Sequence, residues 1–397
     1  MYSHLAAVVD SVEALEVELV ALRRDLHAHP ELAWQEQRTT TLVADRLAAA
    51  EIGVQLLPKS GLIAEVGSSE GPLVALRADL DALAVDDLGT GPWVSTVPGV
   101  AHACGHDVHT AALVGAGLAL AEVHRATPLA GRVRLMFQPA EEIMPGGALE
   151  LIAGGALDDV GHVFGLHCDP TIDVGNIGLR EGPLTGAADA LSVRLSGRGG
   201  HTSRPHLTED LTYALAKLVT ELPGTLSRRL DPRTGASLVW GMVQAGSAKN
   251  VIPASGEVAG TLRMLDGLAW VDAEDLVREL IAQILAPYRV KAEIDYVRGV
   301  PPVINEPAST HMFQATVDAL FGPEAAVSTQ QSLGGEDFAW YVETVPGAMG
   351  RLGTRTPGGP TYDLHQGDLE TDERSVGIGA QILAGVAVSA LSQVTDR

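Results

Sequence analysis

Within eight residues the sequence sets His102-Ala-Cys104-Gly-His106-Asp107-Val-His109, one thiol and three imidazoles. Thiolate and imidazole are soft and borderline donors, a set suited to Zn²⁺, Mn²⁺, Ni²⁺ or Co²⁺. A glycine turn leading into a helix capped by Asp107 would account for any one of these histidines alone. Cys104 and His106, straddling Gly105 in a strand-to-helix loop, point instead to a metal site whose remaining ligands come from elsewhere in the chain. Glu141-Glu142 follows an apolar run at 133–137. A carboxylate pair at the C-terminal end of a strand lies where open α/β sheets place their sites. Adjacent loop residues can point differently, so one can bind metal while the other faces a water; standing alone, the pair is equally a solvated acidic loop. His167 closes another apolar run and so reaches the same end of the sheet, with Cys168 beside it read as a small buried residue. His201 after Gly199-Gly200, Asn250, Arg263, the run Gly334-Gly335-Glu336-Asp337-Phe338 and His365 are chemically capable residues that local pattern does not single out.

These residues need elements to hold them. Helical periodicity over 9–27, 36–51 and 107–124, with a short helix near 147–153, alternates with strand-like runs at 62–66, 73–77, 133–137 and 162–167. Strands separated by helices of this length predict an α/β domain with a mostly parallel, helix-covered sheet. After about residue 183 the pattern changes to strand 190–195, helix 209–221, strands 237–243 and 257–264, helix 271–285 and strand 290–297. That order is the split βαβ arrangement of a small open sheet. The expected layout is one α/β domain, 1–183 and 298–397, interrupted by a smaller α+β domain over 184–297.

Composition narrows the function classes. The 397 residues include 50 Asp and Glu against 27 Lys and Arg, a net charge of −23. Such a surface repels phosphate backbones and anionic lipid, which argues against nucleic-acid and membrane partners. Two cysteines make no disulfide framework. The apolar stretches 110–121 and 376–391 are too short or too interrupted for a membrane span and predict buried helices. The first residues lack the basic and cleavage features of a signal peptide, so a soluble cytoplasmic protein is expected.

Taken in order, ten short motifs resemble one family: LRRDLHAHPEL at 22–32, LRADLDAL at 76–83, HACGHDVHT at 102–110, FQPAEE at 137–142, FGLHCDP at 164–170, GRGGHTSRPH at 197–206, KNVIP at 249–253, GTLR at 260–263, GEDFAWY at 335–341 and LH at 364–365. Together they resemble the peptidase M20 amidohydrolases, in particular the branch of N-acyl-amino-acid, hippurate and auxin-conjugate hydrolases. The resemblance implies a metallopeptidase-type catalytic domain with two divalent ions (Mn, Zn, Ni or Co) and an inserted lid domain that pairs in a homodimer. It implies that Cys104 bridges the metals, that His106, Glu142, His167 and His365 are ligands, and that Glu141 is the general base. His201 is then the lid donor to the oxyanion, reaching the partner subunit's site, and Asn250 and Arg263 are candidates for holding the substrate's carboxylate. Other branches bridge with Asp and use an earlier ligand His; here Cys104 stands in the bridging place and Asp79 stands near that earlier His.

The resemblance also shows departures. Ala84 replaces the proline common after DAL, Ile143-Met144-Pro145 intervenes between the glutamates and Gly146-Gly147, and Thr208-Glu209 departs around the lid helix. These touch the pocket rim and leave the metals alone. The leading reading is an amidohydrolase that splits an N-acyl amino acid into a carboxylic acid and an amino acid. A dipeptidase or carboxypeptidase on the same site is the alternative within enzymes. A non-catalytic small-molecule binding protein is the alternative from another class, disfavoured because every expected ligand and the base are present.

Overall fold

The computed structural model describes residues 2–395. Two compact units share the chain. The first takes the chain up to Leu184, Ile304–Gln330 and the chain from Asp337; the second takes Thr185–Val303 and Gln331–Glu336. The inserted unit therefore extends beyond residue 297, because its last strand, Lys291–Val300, is longer than the pattern at 290–297 predicts. It also takes in Gln331–Glu336, tied to it by bonds from the Gly186 amide to the Gly334 carbonyl and from Arg263 Nη1 to the Leu333 carbonyl.

The first unit is built on an eight-stranded sheet in the order Gly53–Leu56, Leu62–Gly67, Arg132–Gln138, Leu73–Asp79, Val160–Asp173, Gly347–Arg355, Ile177–Leu179, Ala326–Ser328. The central strands 132–138, 73–79, 160–173 and 347–355 run parallel. Around them the sheet is mixed, with antiparallel pairing at 53–56 and 62–67 and again where 177–179 meets 347–355. Only part of the expected mostly parallel sheet is parallel, since links as short as 57–61 and 174–176 reverse the chain at once, and a parallel return needs a long crossover.

Alternation along the central strands decides what each face carries. Val74, Leu76 and Ala78, with Val133, Leu135 and Phe137 and with Phe164, Leu166 and Cys168, join one core with the helices Tyr2–Ala28, His106–Ala126 and Arg374–Thr395. The intervening residues, Arg77, Asp79 and His167 among them, turn to the other face and are also buried. Helix approach is close at Gly115, where an added Cβ would lie 2.6 Å from Leu19 Cδ1 and 3.0 Å from Ala380 Cβ. The last helix corrects one expectation: Arg374–Ser392 is long and apolar enough to cross a membrane, but 83 % of its most apolar stretch is buried inside the protein.

In the second unit an antiparallel sheet in the order Ser237–Ala245, Ser255–Met264, Ala187–Ser196, Lys291–Val300 carries the helices Leu211–Arg229 and Ala273–Leu285. Chain order is strand, helix, two strands, helix, strand, as the spacing predicts. The sheet is held from within by Asp189, which is buried and accepts from Trp270 Nε1, the Tyr296 hydroxyl and the Gly299 amide. The outer strand Ser237–Ala245 leaves Val239 and Val243 more than half exposed.

Candidate metal centre

Three parallel strands deliver the chemistry. The chain leaving Leu73–Asp79 carries Asp81, the chain leaving Arg132–Gln138 carries Glu141 and Glu142, and Val160–Asp173 carries His167. His167 does not end its strand, which runs on to Asp173; it reaches the site through alternation, facing away from the core that holds Cys168. Gly105 adopts φ 86°, a left-handed conformation suited to glycine, and an added Cβ would lie 2.8 Å from Cys168 Sγ. The helix then starts at His106. Asp107 does not cap it as expected, because its carboxylate is taken by Arg23 Nε at 2.7 Å and His27 Nδ1 at 2.8 Å. Burial alone would raise that carboxyl, but Arg23 and His27 hold it well below the usual range.

Two ligand triples share one thiol. Cys104, His106 and His167 form one and Cys104, Glu142 and His365 the other, the donor atoms of each lying within 4.8 Å of one another. Cys104 Sγ is 3.6 Å from His167 Nε2, and Glu142 Oε1 is 3.8 Å from His106 Nε2 and 3.4 Å from His365 Nε2. His106 Nδ1 donates to the Asp81 carbonyl and His167 Nδ1 to the Cys168 carbonyl, each at 2.8 Å. Those bonds aim both Nε2 atoms at the centre, the usual way a backbone carbonyl orients a ligating imidazole. His365, at φ 63°, donates its amide to the Ala103 carbonyl at 2.7 Å, which ties the late histidine to the cysteine loop.

The donor set fits cations. His106 Nε2 and Glu142 Oε1 are buried without a hydrogen-bond partner, a state that is costly unless something of opposite character lies between them. Burial lowers His106, but Asp79, Asp81 and Glu142 override it and push the imidazole up to about 10. Burial and the carboxylates Glu142, Glu141 and Asp79 push the Cys104 thiol well above its ordinary value, so a thiolate here needs cations beside it. His167 is held neutral by burial and by Arg351.

Other members of the histidine cluster do different work. His109 accepts the Cys168 amide at Nε2 and so donates from Nδ1 to Asp79 at 2.6 Å. His102 is buried 6.4 Å from the His27 ring, and burial lowers it to about 4. Asp79 also accepts from fully buried Arg77 at 2.6 Å. Arg77 reaches on to Gln138 and Asp337. Asp337 of the late GGEDF motif thus anchors the buried Arg77 guanidinium.

Two carboxylates escaped the sequence reading. Asp81 accepts the Glu141 amide at Oδ1 and the Glu142 amide at Oδ2, each at 2.9 Å. Glu36 accepts the amide of Ala140. The quoted LRADLDAL motif contained Asp81, but only the fold brings its carboxylate to the glutamate turn; Glu36 looked like an ordinary helix start.

His201, Asn250 and Arg263 lie in the second unit. His201 sits in the two-residue strand Gly200–His201 paired with Val251–Ile252, next to Asn250, whose carbonyl accepts the Thr202 amide at 3.3 Å. Its Nδ1 accepts the Ser203 amide at 3.1 Å, capping the turn and leaving the ring's other nitrogen as an exposed N–H donor. Arg263 is part-buried on Ser255–Met264, away from that ribbon, and burial lowers its guanidinium.

A mixed α/β sheet carrying a thiol, imidazole and carboxylate cluster has the donors of a divalent-metal site. Residues 75–389 match the peptidase family M20/M25/M40, and the chain belongs to that family. N-acetylcysteine deacetylase of Bacillus subtilis is 36% identical over 385 residues, covering 96% of this chain and 99% of that protein. The crystal structure of the Bacillus subtilis YXEP protein, described as a dinuclear metal binding peptidase from the M20 family, has a TM-score of 0.83 at 34% identity, covering 96% of this chain and 99% of that one. A Rhodococcus jostii protein named "Putative glutamate–cysteine ligase 2-3" is 48% identical over 389 residues, covering 98% of this chain. This chain spans 48% of that protein's length.

Proposed function

We propose that the protein is a dinuclear metal-dependent amidohydrolase that cleaves an N-acyl amino acid to a carboxylic acid and a free amino acid. The observation that carries this reading is Cys104 standing in both ligand triples, with Glu142 Oε1 within 4 Å of both His106 Nε2 and His365 Nε2. In this reading Cys104, shared by both triples, and His106, Glu142, His167 and His365 would hold the ions, and Mn²⁺, Zn²⁺, Ni²⁺ or Co²⁺ suits the donors. Bound there, two divalent ions would polarise the scissile carbonyl and acidify water. Glu141 takes the proton of the attacking water and passes it to the leaving amine. His201 donates its free N–H to the oxyanion as it develops. Arg263 offers a planar fork for the substrate's carboxylate, with Asn250 as a second polar contact.

The deacetylase relative supports an N-acyl amino acid as substrate; the relative described as a peptidase favours a dipeptide as the second reading. A homodimer through the second unit belongs to the proposal, supported by Val239 and Val243 standing exposed on an edge strand. A cytoplasmic setting belongs to it too, where Cys104 and Cys168, both free and buried, stay reduced. The test is a hydrolysis panel of acetyl, benzoyl and longer acyl amino acids alongside dipeptides, after chelation and after readdition of each metal. Chelation is expected to abolish turnover and readdition to restore it. Full activity in protein that elemental analysis finds free of transition metal would end the reading, and a preference for dipeptides would move it to the second.

A further inference from the structure

Glu36 is fully buried at the start of the helix Gln37–Ala49, yet its side chain caps none of that helix's amides. Its Oε1 accepts instead from the Ala140 amide at 2.8 Å, and its Oε2 from the Ser60 hydroxyl at 2.6 Å. Burial pushes the Glu36 carboxyl up, and the Ser60 and Ala140 donors oppose it. With Asp81 on the next two amides, three successive N–H groups, 140 to 142, end on two buried carboxylates. Ala140 is held at φ 55°, a left-handed conformation that a residue bearing a Cβ keeps only where its surroundings impose it. A buried carboxylate is expensive unless its bonds are worth having; here they close a strained turn from a helix remote in sequence.

We propose that Glu36 is a positioning residue for the reaction. Through the Ala140 amide it fixes the backbone from which Glu141 and Glu142 project, so that the base and the ligand carboxylate keep their places within 4.8 Å of each other and of a His106 ring nitrogen. Ser60 holds Glu36 in the orientation that does this. The inference rests on the roles proposed above for Glu141 and Glu142. Its scale follows from geometry, since misplacing a catalytic group by roughly 1 Å can cost about 10²-fold in rate.

The test compares Glu36→Ala, Glu36→Gln, Ser60→Ala and Glu141→Gln with the parent protein, using N-acetyl-L-cysteine as substrate and hydrogen exchange on the metal-free proteins. Glu36→Gln keeps an acceptor oxygen for Ala140 and is expected to retain most of kcat, whereas Glu36→Ala loses about 10–100-fold in kcat with KM little changed. In metal-free Glu36→Ala the amides of 140–142 are expected to exchange about tenfold or more faster, with the helix His106–Ala126 unaffected. A folded Glu36→Ala with parental kcat, or with parental exchange at 140–142, overturns the proposal. If Glu36→Ala does not fold, Ser60→Ala decides: a smaller loss in the same two readouts supports the role, and no change in either overturns it. Glu141→Gln separates the two claims, since its retaining full turnover would sink the proposed mechanism while exchange at 140–142 still judges the clamp.

Discussion

Glu141 and Glu142 share one turn and one buried acceptor, Asp81, and are expected to differ in what they lose on neutralisation. Glu141→Gln should keep its metals, measured by elemental analysis, and lose about 10²–10⁴-fold in kcat, because it removes a base and keeps the shape. Glu142→Gln should lose metal affinity as well, since an amide is a poorer ligand. Near-full kcat in Glu141→Gln would contradict the assignment. A second residue-scale prediction concerns pH. His106 in the metal-free site is raised to about 10, so it stabilises that state fully below its ordinary value near 6.5 and loses this contribution as pH rises through about 10. Bound cations would take the place of that proton and end the dependence. The urea midpoint of the metal-free protein should therefore fall between pH 6.5 and 10 more steeply than that of the loaded protein; parallel profiles would contradict this.

Helices and strands act here by how closely they approach. The helix His106–Ala126 begins in the site and lies against Tyr2–Ala28 and Arg374–Thr395. Its Gly115 makes that approach possible, with Leu19 on one side and Ala380 on the other. Gly115→Val puts branched bulk where one Cβ is already too close, and should destabilise by about 1–3 kcal/mol in urea unfolding, as overpacked cores do. Unchanged stability would mean that the three helices separate more easily than their spacing implies. Because His106 is the first residue of this helix, a shift of the helix would also be read as weaker metal binding.

At the scale of the whole molecule, the residues proposed to act are divided between the two units. His201 belongs to the inserted unit, while Cys104, His106, Glu141, Glu142, His167 and His365 belong to the first. His201→Ala should fold, keep its metals and lose about 10²–10³-fold in kcat, the usual cost of an oxyanion donor. If the donor comes from a second copy, mixing His201→Ala with Glu141→Gln subunits should restore part of the activity, because one site in the mixed dimer is then intact. A verified mixed dimer with no recovery would exclude a contact in trans.

The sequence by itself determined the family, the ligand types and the alternation of helices and strands. Donors such as Cys104 and His106 sit close together in the chain, and the hydrophobic periods around them are local properties. Tertiary structure decided which donors converge. His102 is as near to Cys104 in sequence as His106 is and His109 only a turn further on, yet His109 is turned to Asp79 and the Cys168 amide and His102 is buried beside His27. Glu36 is more than a hundred residues from the turn it holds, and Asp337 is paired with Arg77 from the far end of the chain. Buried carboxylates of this kind carry no local pattern, because their partners are backbone amides and a guanidinium that come near only when the sheet has formed. The mixed strand directions were hidden for the same reason: period-two alternation is alike in parallel and antiparallel strands, and pairing is set only when strands distant in sequence meet.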